Sequence, residues 1–187
     1  SGNGVTIATA GVDVVLRGLT ITGQGGINGI VMSNGASLTV EDCVISGFGA
    51  SYGVYVTTAA KVSIANLVAR ANSGGVMLTG GATATISASR FHDQIGIGVF
   101  LTSSAGTTTK ATVTGSVFSS NFYGIAATSH TPGLAILSVG SSTLTNGGYG
   151  LYQNTTDGIG ILESLGNNHV RRNATDTFGT ISAASAM

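Results

Sequence analysis

Charge is scarce in this chain: Lys, Arg, Asp and Glu make up 7% of its 187 residues, seven bases against seven acids, for a net charge of zero. An ordinary globular domain carries about 25% charged residues. Without a basic stripe there is no electrostatic footprint for nucleic acid or for an anionic membrane surface. The low charge does not mean disorder, because 42% of the chain is hydrophobic and that is ample material for one core. Apolar segments are short and interrupted, which excludes a membrane-spanning insertion. Cys43 is the one cysteine, so the chain has no intrachain disulfide framework and no cysteine-based metal motif. Tryptophan is absent and proline occurs once. No segment sustains a 3.6-residue apolar period, and Val, Ile and Thr stand where helix formers would be needed, which disfavours a helical solenoid.

What the chain has instead is glycine, 30 residues of it, and a repeat. A Gly-apolar-x-apolar step recurs as G-I-V-M at Gly29, G-V-Y-V at Gly53, G-V-M-L at Gly75, G-V-F-L at Gly98, G-I-A-A at Gly124 and G-L-Y-Q at Gly150, with spacings of 24, 22, 23, 26 and 26 residues. Each step is followed by a second short alternation that ends at Val40, Ile64, Ile86, Val113, Val139 and, less cleanly, Leu165. A third apolar position follows at Ile45, Ala69, Phe91, Phe118, Leu144 and Val170. Each unit therefore reads as three short strands with period-2 alternation, separated by small polar turns. A unit of that length cannot bury its apolar face alone, so the units must stack on a continuous core.

Three strands per turn, each stacking on its counterpart one unit later, define an all-β, single-stranded parallel β-helix rising roughly 4.8 Å per coil. G-V-T-I at Gly4 and G-T-I at Gly179 count as partial end coils, for about seven to eight coils of 22–26 residues in a single domain over 1–187. The pattern G-I/V-x-V, then x-V-T-I, then S-x-F/I-x-x-N resembles the right-handed parallel β-helix repeat proteins of the pectin-lyase-like superfamily, over nearly the whole chain. The resemblance implies right-handed winding, in line with the general preference of parallel crossovers, and a bacterial, extracellular or cell-surface setting. The chain opens almost directly into strand-like sequence, so a longer N-terminal part is expected before Ser1. The polar stretch over 166–187 reads as an end coil or C-terminal cap.

Alternation assigns the side chains. In G-V-Y-V the valines point inward, so Tyr55 and Thr57 point outward. Every first strand treated alike gives an outer column of Val31, Tyr55, Met77, Phe100, Ala126 and Tyr152, beside a second of Ser33, Thr57, Thr79, Thr102, Thr128 and Asn154. In lyases and hydrolases of the resembling superfamily the active cleft usually lies on the equivalent surface. They bind calcium through clustered acids with a basic proton acceptor, or cleave with paired acids. Neither column holds an acid, Arg or Lys. The seven acids, Asp13, Glu41, Asp42, Asp93, Asp157, Glu163 and Asp176, are scattered over different coils. N-T-D, G-H-G, R-I-K and D-P-H-D are absent, so no catalytic residue carries over, and no cofactor is expected.

A smaller constellation places Arg90, His92 and Asp93 on one third strand with Arg70 directly beside His92, a basic patch more often a solvated face than a site. His92, His130 and His169 lie far apart at unlike positions, which argues against a metal. Cys43 shares an inward column with Leu67, Ser89, Ser116, Ser142 and Asn168. Asp42 and Asn66 occupy one corner in successive coils, and Asn72, Asn121, Asn146 and Asn173 close the units in turns. Longer connections at 103–109, 129–134 and 155–160 should stack along one edge. The leading expectation is a non-catalytic module for adhesion, carbohydrate binding or assembly. Tyr55, Met77, Phe100 and Tyr152, with Thr57, Thr79 and Thr102, form its contact face toward a polysaccharide or a second copy. The alternative is a divergent polysaccharide lyase or hydrolase whose site is lost or lies outside this stretch.

Overall fold

The computed structural model describes residues 2–103, 106–130, 132–155 and 158–184. Among them every regular segment is a strand, and the strands sort into three parallel sheets of eight, eight and seven. Each coil gives one strand to each sheet in turn: Tyr52–Val56, Lys61–Ala65 and Val68–Arg70 in one coil, Gly74–Leu78, Thr83–Ser87 and Arg90–His92 in the next. Residues 169–183 add a further strand to every sheet.

The register stacks like on like. Val54, Val76, Val99, Ile125 and Leu151 are successive partners in the first sheet, and Ile64, Ile86, Val113 and Val139 in the second. Ile45, Ala69, Phe91, Phe118 and Leu144 do the same in the third. All are buried, and each large aliphatic side chain so placed contributes about 1.5–3 kcal/mol. The Phe91 and Phe118 rings stack at 4.8 Å and 10° inside the core. One coil departs from the expected alternation. Ser164 pairs with Val139 and Leu162 with Leu137, so the large side chain that strand buries is Leu162 and Leu165 falls just past it.

The recurrent glycine has a steric cause. A Cβ on Gly98 would lie 2.5 Å from the Gly124 carbonyl oxygen and 2.6 Å from Phe118 Cδ1, and one on Gly124 would lie 2.7 Å from the Gly150 carbonyl oxygen. Gly29, Gly53, Gly75 and Gly150 meet the neighbouring coil's backbone in the same way. The glycine thus turns its bare Cα toward the interior where coils approach closest.

Two polar ladders run up the corners. At the turn from second to third sheet the Ser89, Ser116 and Ser142 hydroxyls each accept from a backbone N–H of the preceding coil and donate to a carbonyl of their own coil. Cys43 and Leu67 are buried in the same column, as expected. Asp42 and Asn66 stack in the adjacent left-handed position, with Asn66 Nδ2 donating to Asp42 Oδ1 at 3.0 Å. At the turn leaving the third sheet, Asn72, Gln94 and Asn121 form a buried amide ladder: Asn121 Oδ1 accepts from Gln94 N–H at 3.0 Å, and its Nδ2 donates to the Phe91 carbonyl at 2.9 Å. Asn146 is not part of it. It is exposed at φ 57, the left-handed position that Asp93 and Ser120 hold in other coils.

Asn121→Ala leaves the buried Gln94 N–H without its partner and removes the second bond to the Phe91 carbonyl, at a cost of about 1–3 kcal/mol for the unpaired group. Asn121→Gln, which places the natural side chain of position 94 one coil later, is expected to lose less. Urea denaturation of the two variants checks the order.

Candidate functional site

Register places the expected outer column where alternation put it. Val31, Tyr55, Met77, Phe100, Ala126 and Tyr152 are successive Cα partners in the first sheet, and Phe178 extends the column by one coil. Tyr55, Met77, Phe100 and Tyr152 are half-buried, whereas Ala126 is only 1% exposed because it is small among larger neighbours. In the second column Thr57, Thr79 and Thr128 are half-buried. Thr102 corrects the expectation: it is 8% exposed, and its Oγ1 is buried without a partner. It leads into a longer connection, where Ser103 is itself buried and donates to the Thr107 carbonyl at 2.7 Å.

A second column on this face escaped the alternation count. Tyr52, Gly74, Ile97, Tyr123 and Tyr149, each one residue ahead of a repeat glycine, are also in register, and Thr175, ahead of Asp176, continues the column. Strict alternation from Val54 would turn Tyr52 inward. The ladder instead passes over the glycine, so the residues on both sides of the Gly-apolar pair face out. The available signal was the aromatic before glycine in S-Y-G, F-Y-G and G-Y-G.

The two columns gather all five tyrosines of the chain with Phe100 and Phe178, and Phe122 sits at their edge. The remaining phenylalanines, Phe48, Phe91 and Phe118, are in the core. Tyr123 stacks on Tyr149 at 5.1 Å and 16°, and Tyr152 on Phe178 at 4.8 Å and 10°. Edge contacts join the pairs, Tyr123 to Tyr152 at 4.7 Å and Tyr149 to Phe178 at 5.9 Å, and Phe122 closes on Tyr123 at 4.7 Å. Tyr52 and Tyr55 form a separate tilted pair at 5.6 Å. Neither column carries Asp, Glu, Lys or Arg.

Burial pushes the Tyr123 phenol above its ordinary value of 10.0, and the neighbouring phenols of Tyr152 and Tyr149 add to the shift. Tyr52 is raised by burial and by Tyr55. A group whose folded pKa is raised supports the fold fully below its unfolded pKa and loses that support as pH rises through the folded one. The melting temperature is therefore expected to be indifferent to these phenols at neutral pH and to fall above about pH 10. The drop should shrink in Tyr123→Phe. Thermal melts across alkaline buffers read both effects.

The acids do not converge. Each of the six described ones is tied locally: Asp13 to Ser37 at 2.5 Å, Glu41 to Arg17 at 2.7 Å, Asp42 to Asn66, Asp93 to His92 at 2.9 Å, Glu163 to Ser138 at 2.6 Å and Asp176 to Asn173 at 2.9 Å. Asp157 lies outside the described residues. The secondary patch assembles as expected, with Arg70 and His92 as Cα partners and Arg90 on the same strand as His92. Ser119 flanks His92 on the other side, and His92 Nδ1 faces Asp93 Oδ2 on an open surface. Among the described residues no three His, Cys, Asp or Glu side chains form a metal-binding group. The described parts of the longer connections do stack: Ser129 Oγ donates to the Ser103 carbonyl, and Leu134 N–H to that of Thr107. The outer face of the second sheet holds a shallow concavity of ≈ 420 Å³, mostly apolar in lining, with Ser and Thr side chains and Lys61 around it and again no acid.

These features define a three-sheeted parallel β-helix with an aromatic, charge-free outer face. Residues 1–138 match the family described as right handed beta helix region, and the chain belongs to that family. No curated protein and no solved structure matches it. Among the described residues no helix is long and apolar enough to cross a membrane.

Proposed function

We propose that the chain is a non-catalytic, rigid β-helix module of a secreted or surface protein, bacterial as the sequence resemblance implies, and that the outer face of its first sheet is the contact surface through which it adheres, binds carbohydrate or assembles. The observation that carries this reading is the register that sets Tyr52, Tyr55, Tyr123, Tyr149, Tyr152 and Phe178 on one face without a charge among them. Exposed apolar side chains are ordinary when scattered, but a continuous apolar patch marks an interaction site. Polysaccharide cleavage needs an acid and a base, or a cation held by acids, positioned around a scissile bond. The described acids are instead dispersed over the three sheets and engaged with neighbours. The enzyme alternative rests on the His92–Asp93 pair beside Arg70 and Ser119.

The test is an assay for unsaturated products and new reducing ends on pectin, alginate and neutral glucans, with and without calcium, run beside the variant Tyr55→Ser/Phe100→Ser/Tyr152→Ser. No turnover is expected, and the triple variant should lose partner retention while melting within a few degrees of the parent. Turnover abolished by His92→Ala or Asp93→Asn would move the function to the third sheet and end the non-catalytic reading.

A further inference from the structure

We infer that the occupant of the first-sheet face is a second copy of this chain, the two copies meeting face to face about a two-fold axis; this rests on the contact-surface reading above and names its partner. Three features of the face select that occupant over a glycan.

The rings offer little open face. A sugar stacks its C–H face on an exposed aromatic face, yet one face of each of Tyr123, Tyr149, Tyr152 and Phe178 is covered by another ring of the set. Each of these four rings therefore has at most one face left for a ligand. Edges pack against rings of a second cluster, and phenol O–H groups pair with one another as donor and acceptor.

The face is also charge-free. A surface that meets itself must find a complement for each of its charges within the same patch, and a charge left unpaired or facing a like charge weakens the contact. Neither outer column has a charge to repel, and the chain as a whole is neutral. The exposed corner residues Ile95, 70% exposed, and Phe122, 52%, are apolar too, as is Phe178 at the end of the column.

Size and period agree. Eight strands rising roughly 4.8 Å each, about 15–20 Å wide, make a nearly flat strip of about 500–700 Å². A standard interface buries about 800 Å² per partner, so the strip is at the small end of what a reversible dimer uses. A second copy presents ridges with the same rise per coil, so side chains interdigitate along the whole strip, whereas a ligand of another repeat falls out of step after a few coils.

Sedimentation equilibrium and light scattering of the parent across roughly 1–100 µM should show twice the mass of one chain. Phe122→Lys, at an exposed corner where the fold tolerates change, places an unpaired charge in an apolar contact and should weaken association at least about tenfold with the melt unchanged. Tyr149→Ser/Phe178→Ser should give the same result through lost contact area. A parent that is monomeric throughout but retained on insoluble polysaccharide, and released by these substitutions, overturns the inference and leaves the contact-surface reading standing. Dimers that persist in both variants place the interface elsewhere and also overturn it. A parent that neither associates nor binds glycan, with variants indistinguishable from it, removes both readings.

Discussion

Gly98→Ala is expected to cost the fold about 3 kcal/mol, the upper end for one added methyl, and to break the solenoid near its middle. Its backbone is not in the left-handed region, so an alanine meets no conformational penalty of its own there. The cost comes from position: the new Cβ would sit 2.5 Å from the Gly124 carbonyl oxygen and 2.6 Å from Phe118 Cδ1. A backbone oxygen in a ladder cannot rotate away as a flexible side chain can, so two coils must separate. Each coil of a solenoid touches only its neighbours, and separation at one step divides the stack. Gly18 is the contrast. It has φ +66 and nothing within 4 Å of an added Cβ, and its corner is occupied in other coils by Asp42, Asn66, Ala88 and Ser141 at φ of 48–53. Gly18→Asn should therefore be nearly neutral. Urea melts of both variants, with hydrogen exchange to locate the break, decide it; equal losses at the two sites would show that backbone freedom, not coil approach, explains the repeat glycine.

Val76→Asp is expected to cost about 3–5 kcal/mol, the scale for an uncompensated buried charge. Val76 is fully buried between Val54 and Val99 in the stacked column, where no cation or hydrogen-bond donor is available to a carboxylate. Burial raises the folded pKa of the new carboxyl. The penalty should therefore be full at neutral pH and ease as pH falls toward about 5 and the group protonates. Thr79→Ala, on the outer face of the same coil, should stay within about 0.5 kcal/mol of the parent. Denaturation at pH 7 and pH 5 provides the check. If Val76→Asp melts like the parent while Thr79→Ala collapses, the inward phase of the first strand is off by one residue.

Much of the fold was legible because a solenoid writes its architecture locally. Val54, Val76, Val99 and Ile125 recur at the coil period, and a residue that recurs at that period pairs with itself, so the stacked inward columns follow from counting. The same logic placed Cys43 with Ser89 and Ser116, Asp42 with Asn66, and Arg70 beside His92. Counting failed where the chain leaves strict alternation. Tyr52, Tyr123 and Tyr149 face outward only because the ladder passes over the adjacent glycine, and Thr102 stands beside the buried Ser103 at the start of a longer connection, where the strand alternation ends. Leu165 gave way to Leu162 for a similar reason, since register within that coil was set by its neighbour rather than by its own pattern.

By itself the sequence determined the parallel coil, the phase of most inward columns and the absence of charge from the first-sheet face, because each depends on the period and on residue type alone. Tertiary structure decided which aromatic rings meet. The stacking of Tyr123 on Tyr149 and of Tyr152 on Phe178 depends on how much each glycine draws the coils together and on which side chains flank it, quantities set by contacts between residues a full coil apart. It also decided that the six described acids are each engaged where they stand, because a carboxylate's partner in a β-helix comes as readily from the next coil, as Ser37 does for Asp13, as from its own strand.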